Sequence, residues 1–280
     1  MSRIETRFAD LKQRGRKALI PFITAGDPAK DITVTLMHIL VQSGADLLEL
    51  GVPFSDPMAD GPVIQHASER ALVNGVSLRD VLAMVAEFRK KDNDTPVILM
   101  GYLNPIEALG YAEFADLARQ AGVDGALTVD LPPEEGQELV AALQQQGLDT
   151  IYLLAPTSTA ERIQRIADMA SGFLYYVSLK GVTGAGNLDL SEVRQRLDSI
   201  RRHTGLPLGV GFGINSPEIA AEVSTFADAV VVGSAIVKRI AEYESSPDVI
   251  MKELQTFVGA LRQAMDTAAV NDKQTCGGQG

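Results

Sequence analysis

The sequence predicts a (β/α)8 barrel with an extra helix at its N-terminal end. Two observations carry that expectation. Eight short β-rich runs alternate with helical patterns along 280 residues, a typical length for one barrel. A joint phrase also recurs, as "SGADLLEL", "AGVDGALTV" and "QGLDTIYLL". Each instance closes a helix on glycine, places an aspartate, and opens an apolar run. These read as equivalent helix-to-strand turns in a repeating architecture. Any α/β fold needs such turns, so a doubly wound open sheet stands as the alternative.

The elements follow in order. "SRIETRFADLKQRG" is amphipathic and predicts a helix under the barrel floor. Strands are expected at 18–24, 46–51, 96–102, 124–130, 149–155, 172–179, 207–213 and 228–234. Most of these runs are continuously apolar, as strands covered on both faces should be. Between the first two, Asp27 reads as a helix N-cap with Pro28 in the first turn. Ile32, Leu36, Ile39 and Leu40 then repeat at helical spacing up to Gly44. Ser77 and Asp80 form a capping box ahead of an apolar face at Leu78, Val81, Leu82 and Val85. Ser216 before Pro217 and Ser246 before Pro247 mark two later helix starts. No composition break divides the chain, so residues 1–268 are expected to form a single barrel domain. The polar stretch 269–280 is expected to be a disordered tail.

Bulk properties narrow the function classes. A net charge of -11 argues against nucleic acid or an anionic membrane as the main partner. Cys276 is the single cysteine, which rules out a disulfide framework or thiolate metal site within one chain. A reducing, cytoplasmic location follows as an expectation. The N-terminus mixes acids with bases and is no signal peptide, and no apolar run approaches a membrane span. His38, His66 and His203 have no metal-ligand spacing, so no metal is expected. Without a Ser/His/Asp or Cys/His signal, acid/base work by carboxylates is the chemistry that remains.

In a barrel, function belongs at the C-terminal ends of the strands. "LELGVPFSDPMADGP" (47–61) supplies Glu49 at such an end, with Asp56 and Asp60 on the loop after it. A carboxylate buried at a strand end is costly to ionise, which suits a proton-exchanging group near neutral pH. Glu49 could instead pair with a lysine or a backbone donor. Asp56 or Asp60 could merely cap the helix that begins at Pro62. Further on, "GVGFGINSP" and "GSAIV" follow the last two strands, where barrels commonly cradle a phosphate with backbone N–H groups. Gly211, Gly213, Gly233 and Ser234 are the candidates there, against the alternative of ordinary structural turns. "SLKGVTGAGNLDLS" (178–191) is long enough for a lid, with Thr183 and Gly184 able to reach a phosphate.

At this point the motifs resemble a known family. "LELGVPFSDPMADGPVIQ" is similar to the signature of the tryptophan synthase α-subunit family. "PFITAGDP", "MGYLNPI", "DLPPEE", "YYVSLKGVTGA", "GFGINSPE" and "VVGSAIVK" resemble it in the same order. The resemblance implies a barrel that splits indole-3-glycerol phosphate into indole and glyceraldehyde 3-phosphate. It implies a β subunit carrying pyridoxal phosphate, an αββα assembly, and no cofactor or metal in this subunit. Glu49 would be the acid/base residue and Asp60 the second catalytic carboxylate. Phe22, Ile64, Met100, Leu127 and Leu153 would wall the indole pocket, Tyr175 would flank the substrate near Glu49, and Thr183 would bind substrate from the lid. Phosphate would lie on Gly184, Gly213, Gly233 and Ser234, with Phe212 beside it. Asp56, Pro57, Asn104, Asp130 and Pro132 would meet the partner. One departure stands out: some relatives carry an arginine before "GVTG", where this chain has Leu179 and Lys180, and lysine does not replace arginine at bidentate contacts. Two other functions compete. A sugar-phosphate isomerase or epimerase would share the phosphate glycines, and a non-catalytic barrel would only activate a partner. The Glu49 to Asp60 loop favours the lyase over both.

Overall fold

A computed structural model describes the backbone of residues 1–177, 190–211 and 213–277, and the side chains as far as Val270. Eight strands pair in parallel and in chain order, and the last closes on the first. They are β1 (Ala18–Thr24), β2 (Leu48–Gly51), β3 (Val97–Gly101), β4 (Gly125–Thr128), β5 (Asp149–Leu154), β6 (Leu174–Val177), β7 (Leu208–Gly211) and β8 (Ala229–Val232). Each lies inside a predicted run, usually shorter by a residue or two at either end. The closed order removes the open-sheet alternative.

The outer layer is helical. Its first members are α1 (Arg3–Arg14), α2 (Thr33–Gln42), α3 (Pro62–Val73) and α4 (Leu78–Arg89). Then come α5 (Leu103–Leu109), α6 (Tyr111–Ala121), α7 (Gln137–Gln145) and α8 (Ala160–Met169). The series ends with α9 (Leu190–Ile200), α10 (Pro217–Ser224), α11 (Ser234–Glu242) and α12 (Pro247–Gly277). The capping box at Ser77 and Asp80 is formed, and Ser216 accepts from the Ile219 N–H. The backbone of α12 is helical through Gly277, into the stretch that the sequence marked for disorder.

Asp27 is a correction. α2 starts at Thr33, after a 3-10 turn at Lys30–Ile32, so Asp27 caps no helix. Its side chain turns inward and accepts a two-pronged contact from Arg70 at 2.7 and 3.0 Å. A charge-assisted fork of this kind is stronger than a solvent-exposed cap bond.

The core has an inner and an outer part. Strand residues of one phase pack against the helices. Those of the other phase fill the barrel, with Ile20, Leu47, Ile98, Ile151 and Phe173 among them. α1 plugs the floor with Ile4, Phe8 and Leu11, and the Phe8 and Phe173 rings lie 5.7 Å apart. Each such side chain stabilises the fold by about 1.5–3 kcal/mol of apolar burial. With the floor filled, the interior opens toward the C-terminal strand ends.

Candidate active site

Period-two alternation decides which strand residues reach the mouth. Phe22, Glu49, Met100, Tyr175 and Val231 share the inward phase of the filled layer beneath them. The register sets Phe22 beside Glu49, and Glu49 beside Ile98. Above this layer lies a cavity of about 220 Å³. Glu49 and Asp60 both line it, with Ile64 from α3, Gly213 and Gly233 from the loops after β7 and β8, and Ser234 from the start of α11.

Glu49 is 1% exposed, and its Oε1 has no hydrogen-bond partner among the described residues. Neither the lysine pair nor the backbone donor considered for it is found there. Burial, and then the charge of Asp60, push its carboxyl up from 4.5 to about 8. Asp60 does not cap α3. The cap position belongs to Gly61, with no side-chain bond, and Pro62 opens the helix. Instead Asp60 accepts from the Tyr102 hydroxyl at 3.0 Å. That same hydroxyl accepts the Ala59 N–H at 3.0 Å, and the Tyr102 ring stacks on Phe54 at 5.2 Å. One tyrosine therefore holds both the loop backbone and its carboxylate. Burial raises the Asp60 pKa and the Tyr102 bond opposes the rise.

Tyr175 is buried, and its phenol is pushed well up by burial and by the charges of Glu49 and Asp60, so it stays protonated. It needs Gly211: a Cβ there would lie 2.0 Å from the Tyr175 hydroxyl oxygen. Gly211 thus makes room for an aromatic ring and does not line the cavity. Gly213 has φ +76°, a left-handed conformation suited to glycine, with open space where a side chain would go. Gly233 and Ser234 begin α11, whose first N–H groups lack intrahelical partners and suit an anion.

The other expected residues fall in three groups. Leu127 and Leu153 face the barrel interior, in register with Met100 and Tyr175 respectively, without lining the cavity. Asp56 and Asn104 are exposed and Pro57 and Pro132 are half-buried; Asn104 lies in the first turn of α5, and the other three stand on loops that follow strands. Exposed Asp130 accepts the Leu103 N–H at 2.8 Å, at the start of α5. Thr183, Gly184, Phe212, Leu179 and Lys180 lie outside the described residues. The structure adds Val231, Ile214, Asn215 and Ala235 to the cavity wall and Tyr102 to Asp60. Val231 was accessible from alternation, being two residues from Ala229 and two from Gly233. Tyr102 reads from the sequence as the end of the third strand, but its pairing with Asp60 does not, because that contact spans 42 residues.

Among the described residues no cluster of three or more His, Cys, Asp or Glu could hold a metal ion. No helix there is long and apolar enough to cross a membrane.

The family model described as "Tryptophan synthase alpha chain" matches residues 8–266. The tryptophan synthase alpha chain of Nitrosococcus oceani is 62% identical over 266 residues, spanning 95% of this chain and 98% of that one. That of Thioalkalivibrio sulfidiphilus is also 62% identical, over 95% of this chain and all of its own. The crystal structure of tryptophan synthase subunit alpha from Legionella pneumophila superposes with a TM-score of 0.90 at 50% identity, covering 95% and 99% of the two chains. A chain of tryptophan synthase from M. tuberculosis, in an aminoacrylate-bound form, gives 0.85 at 34% identity, covering 95% and 100%. This chain belongs to the tryptophan synthase alpha chain family, the lyases that cleave indole-3-glycerol phosphate in tryptophan biosynthesis.

Proposed function

We propose that Glu49 and Asp60 divide the cleavage of indole-3-glycerol phosphate between them. The observation that carries this reading is the pair itself: one carboxyl buried without a described partner, the other held by Tyr102, both on one cavity. With a pKa near 8, Glu49 enters the reaction protonated at neutral pH. It gives that proton to indole C3, and the ring becomes an indolenine-like cation. Asp60 accepts the indole N–H and offsets the positive charge. The Glu49 carboxylate then takes the proton of the glycerol hydroxyl as the carbon–carbon bond breaks. One proton goes in and one comes out, so Glu49 ends as it began. Tyr175, Phe22, Ile64 and Met100 flank the ring, with Leu127 and Leu153 supporting them from the interior layer. The phosphate rests on Gly213, Gly233 and Ser234, with Gly184, Thr183 and Phe212 completing the enclosure.

The substrate pocket and the partner surface share the barrel mouth in this reading. Asp56, Pro57, Asn104, Asp130 and Pro132 form the face toward a β subunit that carries pyridoxal phosphate. The assembly is an αββα tetramer in the cytoplasm, and this subunit cleaves its substrate with side chains and backbone N–H groups.

Indole release by Glu49→Gln tests the catalytic assignment. The variant should fold normally and lose at least about 10²-fold in activity. A fully active variant would sink the assignment. Co-elution with a β subunit tests the surface, and combined Asp56→Ala and Asn104→Ala substitution should weaken it. Unchanged binding would reject that face.

A further inference from the structure

Behind the substrate cavity lies a smaller one, of about 10 Å³. The two share Phe22, Asp60, Ile64 and Met100, so Asp60 stands between them. The rear cavity adds three hydroxyl groups to its wall, from Thr24, Ser68 and Tyr102. Thr24 comes two residues after Phe22 on β1 and shares its phase. It is 1% exposed, and its Oγ1 has no hydrogen-bond partner among the described residues. Ser68, from α3, is 5% exposed. A buried hydroxyl without a partner carries a desolvation penalty that native structures seldom leave uncompensated. The space matches the roughly 10–15 Å³ that one water needs, and the wall supplies the two to four polar groups that hold one.

We propose that the rear cavity holds a single water joining Thr24 to the Asp60 carboxylate, which makes Thr24 a positioning residue for the cleavage. The inference rests on the reading of Asp60 as the group that takes the indole N–H. Tyr102 donates to Asp60 Oδ2 from its own side. The water donates a second hydrogen bond to the carboxylate and satisfies Thr24 with its remaining capacity. Two donors behind the carboxylate oppose the rise that burial causes and fix the oxygen that faces the ring. Thr24 then affects the rate without touching substrate. Its contribution appears as cationic character develops in the ring, so it falls on kcat more than on KM.

The test compares wild type with Thr24→Val, Thr24→Ser and Asp60→Asn in indole release across pH. Valine keeps the shape and removes the hydroxyl. Thr24→Val should lower kcat about tenfold, the loss expected for a hydrogen bond to a charged group. KM should stay near the wild-type value, and the acid limb of the kcat profile should move to higher pH, because Asp60 has lost a donor. Thr24→Ser should restore both rate and profile. A Thr24→Val enzyme with wild-type kcat and acid limb overturns the proposal. So does a Thr24→Ser enzyme as damaged as the valine variant, since that is a packing effect. Full activity in Asp60→Asn overturns the underlying reading as well; loss there with a normal Thr24→Val overturns this inference alone. If Thr24→Val fails to fold, a high-resolution crystal structure of the wild type decides. A water within hydrogen-bond reach of Thr24 Oγ1 supports the proposal, and an empty or differently filled cavity rejects it.

Discussion

The floor and the mouth of this barrel treat buried carboxylates in opposite ways. Asp46 and Glu49 belong to one short run, "DLLE", and are 5% and 1% exposed. Asp46 accepts the Leu19 N–H at 2.9 Å and pairs with Arg262 at 3.1 Å. Asp124 repeats the arrangement with the Val97 N–H, Arg89 and Arg3. Asp228 does so with the Leu208 N–H and Arg201. Each of these three aspartates meets a backbone donor of the neighbouring strand and a cation from the helix layer. Asp149 is the exception: its Oδ2 has no partner among the described residues and burial raises its pKa, with hydrogen bonds from Ser2 and Ser171 opposing. Glu49 is three residues from Asp46, and with a period of two it therefore faces the barrel interior. No cation among the described residues follows it there. Burial without a cation does not by itself mark a functional carboxylate, as Asp149 shows; Glu49 differs in lining the cavity beside Asp60.

Removing the compensation at the floor should have the largest effect on stability. Arg262→Met leaves Asp46 buried with only its backbone donor. It should destabilise the protein by about 3–5 kcal/mol while leaving indole release per folded molecule unchanged. A cost below about 1 kcal/mol in denaturant unfolding would break the contrast.

The mouth gives the converse expectation. The Glu49 carboxyl titrates at 4.5 in the unfolded chain and near 8 in the fold. The folded state thus holds an extra proton between those values. That contribution to stability is complete below pH 4.5 and is lost as pH rises through about 8. Glu49→Gln has no such proton to lose. Its stability relative to wild type should therefore climb across the window by on the order of a few kcal/mol. Parallel stability curves for the two proteins would show that Glu49 is compensated after all.

Gly211→Ala tests the mouth more gently. The added Cβ meets the Tyr175 ring, and relieving that overlap should cost about 1–3 kcal/mol and raise KM for indole-3-glycerol phosphate. An alanine variant with unchanged stability and KM would mean that Tyr175 yields easily and does not shape the pocket.

Much of this was legible in the chain. The Gly-x-Asp joints announced the repeating unit, and two of their three aspartates, Asp46 and Asp124, proved to belong to the floor network, while Asp149 stands apart from it. Apolar runs located all eight strands to within a few residues. Phe22, Glu49 and Tyr175 sit where strand-end logic directed attention, and Met100 where the family resemblance put it. Asp27 misled, because a Ser/Asp-type residue before proline has the same local appearance whether it caps a helix or receives an arginine from a distant one. Gly211 misled for a similar reason: a glycine in a loop and a glycine beneath a tyrosine read alike.

By itself the sequence determined the order of elements and the family, because these depend on local periodicity and on motif identity; the inward phase of the continuously apolar strands came from the closed barrel. Tertiary structure alone decided which carboxylates are neutralised. Arg262 reaches Asp46 across 216 positions, and Tyr102 reaches Asp60 across 42. Ionisation depends on everything within a few ångströms of a group, and barrel closure brings those neighbours from all along the chain. The sequence could mark Glu49 as a carboxylate in an apolar strand. Only the closed barrel decided that it stays without a described partner, next to Asp60.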